Sequence, residues 1–289
     1  MKTDLLSELS QRMPEFSKGQ KKIAAYLIEH FDKAAYITAS KLGKAAGVSE
    51  STVVRFANEI GFDGYPQMQQ ALQEVSRNML TAVQRMEVAS NNIDADDVLN
   101  KVLHSDIEKI RKTLEDLDKK DFDSVVDAII NAENIYIIGT GSASVLASFL
   151  NLYLNHIFNN VRVVGSTSIS DVYENILSIN ENDVLIGLSF PRYSSRTLKA
   201  MRYASSCNAN VIAITDSKSS PIAEVADHLL IARSDMASFV DSLVAPLSLI
   251  NALIVALGLR RKDEVSQKLQ KLENLWEENE VYGTRNKSK

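Results

Sequence analysis

The chain is poor in the residues that staple, break or anchor a polypeptide. Its 289 residues include one cysteine, Cys207. No internal disulfide is possible, and the expectation is a reducing cytoplasm with Cys207 as a buried structural thiol. Eleven glycines and five prolines are too few for long flexible linkers. The opening MKTDLLSELS lacks the apolar core of a signal peptide. The most apolar run, residues 243–259, is interrupted by Pro246, Ser248 and Asn251. It falls short of a full span and reads as a buried core helix, so no membrane partner is expected. The four histidines, His30, His104, His156 and His228, are scattered. Without a Cys/His cluster, neither a metal nor a cofactor is expected. Charge of one sign is also missing: 32 basic and 37 acidic residues give −5, which argues against indiscriminate nucleic-acid binding.

What is present supports ordinary globular structure. Hydrophobic residues make up 45%, enough for buried cores, and the length allows two domains. Residues 1–85 hold 11 basic and 9 acidic side chains, +2, and the remainder 21 and 28, −7. Any anion-binding surface in the first part must come from local arrangement. Residues 1–77 read as short helices, with Ile23, Leu27, Ile28 and Phe31 at helical spacing. Polar sequence over 78–100, including SNNIDADD, reads as linker. Over 101–280 the rhythm changes. Leu103, Ile107, Ile110, Leu114 and Leu117 mark an amphipathic helix. Five short apolar runs follow: IYII, VRVV, VLIGL, VIAIT and LLI. Helix-length segments separate the first four, which predicts a parallel sheet with helices on both faces. The fold class is therefore α/β: an all-α N-terminal domain, then a doubly wound domain with a parallel five-stranded sheet. The tail from Arg260 carries Leu269, Leu272, Leu275 and Trp276 as a packing or dimer helix, and TRNKSK reads as a frayed end.

Two features carry chemistry. The first is ASKLGKAAGVSESTVVRFANEIG, residues 39–61. Leu42, Ala46, Val48, Val53, Val54 and Ile60 can pack inward, Gly47 supplies a left-handed turn, and Ser49 can cap the second helix. This is the layout of a helix-turn-helix. Ser49, Ser51, Thr52, Arg55 and Asn58 would then face the major groove of double-stranded operator DNA. Arg55 suits guanine and Asn58 adenine, while Lys18, Lys21, Lys22, Lys41 and Lys44 suit phosphates. On spacing alone, a helical hairpin with a solvated polar face fits equally well. The second feature is three hydroxyl-rich loops after strands: GTGSAS (139–144), SFPRYSSRT (189–197) and TDS (215–217). Ligands of open α/β sheets sit at the carboxyl ends of strands. Gly139 and Gly141 allow close approach, and Ser142, Ser144, Ser189, Ser194, Ser195 and Thr197 offer hydroxyls. Arg192 or Arg196 could neutralise a phosphate. Serines that only cap helices are the competing reading.

The segment GVSESTVVRFANEIGFDGYPQM resembles the helix-turn-helix signature of the RpiR/MurR family of bacterial transcription regulators. The two loops GTG and SFPRYSSRT, with SFVDSLVAPLSLINALIVAL, resemble the sugar isomerase (SIS) domain. The resemblance spans nearly the whole chain, apart from the linker and the last 25 or so residues. It implies DNA binding controlled by a small phosphorylated sugar or sugar acid. Two departures from the family pattern bear on the ligand. Ala143 stands where G-x-G-x-S has Ser, and Ser195 stands where S-G-x-T has Gly, with Arg196 at the x position. A plain sugar 6-phosphate stays the leading expectation, and the extra arginine in SFPRYSSR could favour a sugar acid phosphate or a more anionic ligand. The fold also houses isomerases, which need a base near the substrate. No histidine lies in a strand-end loop, and Glu174 is the best carboxylate. A sensor, most simply a repressor, is favoured over an enzyme. One short recognition helix makes few contacts, so a homodimer or higher homo-oligomer is expected. The apolar helices after Gly139 and after Asp235 offer surface for it.

Overall fold

A computed structural model describes residues 5–92, 95–165, 168–234 and 239–281. The chain divides into two compact units, residues 1–102 with 236–241, and residues 103–235 with 242–289.

The first unit is helical: α1 (Leu5–Arg12), α2 (Lys18–Glu29), α3 (Phe31–Ala34), α4 (Ala39–Ala46), α5 (Glu50–Glu59), α6 (Tyr65–Met79) and α7 (Ala82–Asn92). Leu9, Phe16, Ile23, Leu27, Leu42, Val53, Phe56, Ala57, Met68 and Leu72 form its core. Thr38 caps α4 by accepting from Lys41 N. Pro66 lies in the first turn of α6, where a missing N–H is tolerated. Tyr65 is tied across the unit, its hydroxyl donating to Ile37 O at 2.6 Å. Val54 is a correction: it is exposed, and Phe56 and Ala57 fill the core in its place. The polar stretch expected as linker contains α7. There Arg85 is buried and pairs with Asp241 at 2.7 Å.

The second unit is the α/β part. Its strands are β1 (Ile135–Gly139), β2 (Val161–Val163), β3 (Val184–Leu188), β4 (Asn210–Thr215) and β5 (His228–Ile231). They form one sheet in the order β2-β1-β3-β4-β5, parallel throughout. Alternate residues feed opposite faces, as the two-residue period requires. Ile135, Ile137, Val184, Ile186, Ile212 and Ile214 pack against α9 (Lys119–Asn131), α10 (Ala143–Ile157) and α13 (Val244–Arg260). Tyr136, Ile138, Leu185, Val211 and Ala213 pack against α11 (Ile169–Ile176) and α12 (Ser195–Ser206). A Cβ on Gly187 would lie 2.2 Å from Met201 Sδ, so the glycine in mid-β3 is what lets α12 pack so closely. Cys207 is half-buried at the end of α12 and is not enclosed as expected. Helix α13 begins at Val244, later than Asp235, and residues 235–238 lie outside the described residues, as do the terminal TRNKSK residues. Helix α14 (Lys262–Glu278) follows. Among the described residues no single helix is long and apolar enough to cross a membrane.

Helix α8 (Val98–Asp116) precedes this sheet, and its sidedness is inverted. Lys109 and Thr113 are its buried residues. Lys109 Nζ donates to Ser105 Oγ at 2.7 Å, and Thr113 Oγ1 accepts from Arg233 N at 2.9 Å. Ser242 Oγ donates to Asp106 at 2.7 Å. Leu103, Ile107, Ile110 and Leu114 are exposed.

Candidate functional site

In the first unit, the turn between α4 and α5 is set by two glycines. Gly47 takes the left-handed conformation at φ 67°. Val48 N then donates to Gly43 O at 2.8 Å and Gly47 N to Lys44 O at 3.3 Å, the bond pair of a Schellman motif. A Cβ on Gly43 would lie 2.9 Å from Val48 O, so the backbone of the turn rests directly on α4. Ser49 caps α5 by accepting from Thr52 N at 3.2 Å. Its Oγ also lies 2.9 Å from Ser51 Oγ and 2.8 Å from Thr52 Oγ1. Three hydroxyls thus crowd the positive end of α5, where phosphate oxygens are favoured.

Val53, Phe56 and Ala57 bury one side of α5. Ser51, Arg55 and Asn58 lie on the exposed side. Arg55 Nε donates to Ser51 O at 3.3 Å, which draws its side chain back along the helix. Lys18, Lys22 and Lys44 are exposed, as are Lys21 and Lys41. A Cβ on Gly47 would lie 3.7 Å from Lys22 Nζ, so this ammonium group stands beside the turn.

In the second unit, β1 and β3 are adjacent and in register, Gly139 beside Leu188. Chain order reverses between them, and this is the switch point where open α/β sheets take ligands. The loops after these two strands therefore begin side by side. In the first, Gly141 adopts φ 60°. A Cβ on Gly139 would lie 2.6 Å from Ala143 O, so α10 starts hard against the strand end. Ser142 is exposed, while Ser144 Oγ donates to Gly141 O at 2.7 Å. Ala143 is buried.

In the second loop, Ser189 is buried and its Oγ accepts from Ser194 N at 3.1 Å. Ser194 caps α12 by accepting from Thr197 N at 3.2 Å. Two amides facing this loop are thus closed by the chain's own hydroxyls. Thr197 Oγ1 is fully buried without a partner. Ser195 is exposed. Arg192, also exposed, holds φ 64°, an uncommon conformation for a residue with a Cβ. Two neighbours were not singled out from the sequence. Tyr193 Oη donates to Asp216 Oδ1 at 2.9 Å, and Asp216 is buried at the end of β4. The signal for Asp216 was its place in the third strand-end loop.

Residues 3–78 match the helix-turn-helix domain of the rpiR family and residues 128–256 match the SIS domain. The chain belongs to the rpiR family. A transcriptional regulator of Haemophilus influenzae is 25% identical over 94% of this chain and 96% of its own length. The regulator HexR of Pseudomonas aeruginosa is 22% identical over 93% of this chain and 94% of its own. Among solved structures, the sugar isomerase domain of an RpiR transcription factor from Sphaerobacter thermophilus matches at 26% identity with a TM-score of 0.58. It covers 62% of this chain and 99% of that one. NanR of Vibrio vulnificus, complexed with ManNAc-6P, matches at 22% identity and a TM-score of 0.60, over 97% of this chain and all of its own. In this rpiR-family chain the two histidines of the sheet elements lie at the ends remote from the strand-end loops. His228 begins β5 at the opposite end of the strand, His156 is in the last turn of α10, and Glu174 lies on α11, accepting from Ser170 Oγ.

Proposed function

We propose that this chain is a regulator, most simply a repressor, that reads operator DNA with α5 and is controlled by a small phosphorylated sugar or sugar acid in the SIS domain. The observation that carries this reading is the pairing of two strand-end loops at the β1/β3 switch point with an outward helix bearing Ser51, Arg55 and Asn58. DNA reading is assigned to residues 1–77, the connection to 78–100 and sensing to 101–280. Ser49, Ser51 and Thr52 would meet phosphates at the helix start, Arg55 and Asn58 base edges, and Lys18, Lys22 and Lys44 the flanking backbone.

In the sensor, Gly139, Gly141, Ser142 and Ser144 form one wall, and Ser189, Ser194, Ser195 and Thr197 the other. A phosphate would displace the Ser189 and Ser194 hydroxyls from the amides they now occupy and accept those bonds itself, with the positive ends of α10 and α12 supporting it. The orphan Thr197 hydroxyl is the sort of buried polar atom found where a site awaits a partner. Arg192 adds a cation, which suits a ligand with more charge than one phosphate. NanR, with its bound ManNAc-6P, favours the phosphosugar class. The placement of His156 late in α10 and of His228 at the start of β5, away from the strand ends, favours sensing over catalysis. The setting would be cytoplasmic.

A second copy would cover α8. Leu103, Ile107, Ile110, Leu114 and Leu117 are spaced 4-3-4-3, as in the seam between paired helices, and the first four are exposed. Val145, Leu152 and Tyr153 on α10 and Val255 and Leu259 on α13 are exposed as well.

The test is thermal unfolding with matched phosphorylated and unphosphorylated sugars and sugar acids. A ligand at 100 times its dissociation constant adds about 2.7 kcal/mol of stability. A shift confined to phosphorylated members supports the reading. No shift with any of them removes the phosphosugar class, and turnover of one would make the chain an enzyme.

A further inference from the structure

We propose that Val54 reads the C5-methyl group of a thymine, and so acts as a specificity-determining residue on α5. The inference rests on α5 being the DNA-reading helix. Val53, Phe56, Ala57 and Ile60 bury the inner side of the helix and its end, but Val54 is 36% exposed. It lies one turn from Glu50 and from Asn58 and is flanked by Ser51 and Arg55, all of them exposed. It is thus the apolar member of an otherwise hydrogen-bonding surface. Valine is left with far more exposed surface there than Val53, Phe56 and Ala57, and as a β-branched residue it is a poorer helix former than alanine. A solvated helix face therefore gives no reason for it.

A major-groove surface does. Ser51, Arg55 and Asn58 can address the nitrogen and oxygen atoms of base edges. The feature that sets thymine apart in that groove is a methyl group, and its partner is an apolar contact. Val54 sits within the first turn and a half of α5, the part of a recognition helix that approaches the bases. It would favour thymine over cytosine at one pyrimidine position, because cytosine offers hydrogen in place of the methyl group.

The test uses the full-length protein. Binding sites are first selected from random duplexes at fixed salt. Each thymine of the selected site is then replaced singly by uracil, which removes the methyl group and keeps the hydrogen-bonding edge. One position should lose about fourfold in affinity, the worth of one buried methyl. With Val54→Ala, which draws the apolar contact back to Cβ, the same replacement should cost clearly less, while the protein stays folded, its unfolding midpoint moving by no more than a few degrees because the side chain lies outside the core. The proposal is overturned if no thymine is sensitive to uracil, or if Val54→Ala keeps the full sensitivity. Failure to select any sequence would instead overturn the DNA-reading role of the chain, so the two failures are separable.

Discussion

Arg55 and Lys22 are both cations near the helix-turn-helix, yet their positions ask different things of them. Arg55 is braced on its own helix, Nε to Ser51 O, which pre-orders a planar group that can pair bidentately with guanine. Arg55→Ala should cost about 1–3 kcal/mol on a selected site and relax preference at one base. Lys22 stands by the turn, where in the proposed complex it would meet a phosphate and not a base. Lys22→Ala should weaken all sequences alike and flatten the salt dependence by about one counterion. Anisotropy titrations over a salt series separate the two, and equal behaviour of both variants would remove Arg55 from base reading. Tyr65 offers a test of a different kind. Burial pushes its hydroxyl up to about 12 from an ordinary value of 10.0. Its contribution to stability is therefore complete below pH 10 and fades as pH rises toward 12, because the unfolded chain gives up the proton first. Tyr65→Phe should lower stability at neutral pH by about 1 kcal/mol, since the Ile37 carbonyl keeps a second donor in Gln69. It should also flatten the alkaline fall in the unfolding midpoint. An unchanged alkaline slope would mean that other groups govern it.

Elements differ in how far the sequence alone reveals them. The five strands were legible as short apolar runs, clearest in the sheet interior, where burial is unbroken along β1 and β3, while the edge strands β2 and β5 are only partly buried. The helix-turn-helix was legible from Gly47 and Ser49, whose turn and cap roles are local. Helix α7 was not, because its residues are polar and weakly periodic and the helix depends on neighbours far off in sequence, such as Asp241 beside Arg85. The inversion of α8 was hidden for a related reason. Periodicity shows that a helix has two sides, but which side faces inward depends on Arg233 and Ser242, more than a hundred residues away. In the ligand loops, the glycines and hydroxyls could be read, but the closure of Ser194 N by Ser189 and the Tyr193–Asp216 bond needed the sheet to be assembled. The turn itself gives the element-scale prediction. Gly47→Ala forces a Cβ into φ 67°, at a cost of about 1 kcal/mol. Gly43→Ala drives a Cβ against the Val48 carbonyl, where backbone must move. Gly43→Ala should therefore cost more, and should abolish operator binding by displacing α5 while leaving phosphosugar-induced stabilisation of the other unit intact. Retained binding by Gly43→Ala would show that the α4–α5 spacing is not critical.

At the scale of the whole molecule, the sensor matters only if its ligand tells DNA-bound from free protein. Linkage makes this a quantitative demand: if phosphosugar changes operator affinity by some factor, operator must change phosphosugar affinity by the same factor, typically about 5- to 150-fold for coupling of 1–3 kcal/mol. Paired operation of two copies is the simplest way to obtain such coupling, since small changes at a sensor can alter how two recognition helices match half-sites one helical turn apart. Two variants divide the path. Ser194→Ala removes the hydroxyl that caps α12 and that, once displaced, would be free to donate to the phosphate; it should weaken ligand response while basal operator binding persists. Ile107→Glu with Leu114→Glu places charge on the exposed stripe of α8, where like charges on facing copies repel. It should shift sedimentation toward monomer, reduce operator affinity steeply and leave phosphosugar binding to each chain in place. If that double variant remains a dimer, the seam lies on the exposed faces of α10 and α13 instead. If it becomes a monomer and still shows the full reciprocal coupling, the signal passes within one chain and pairing serves affinity alone.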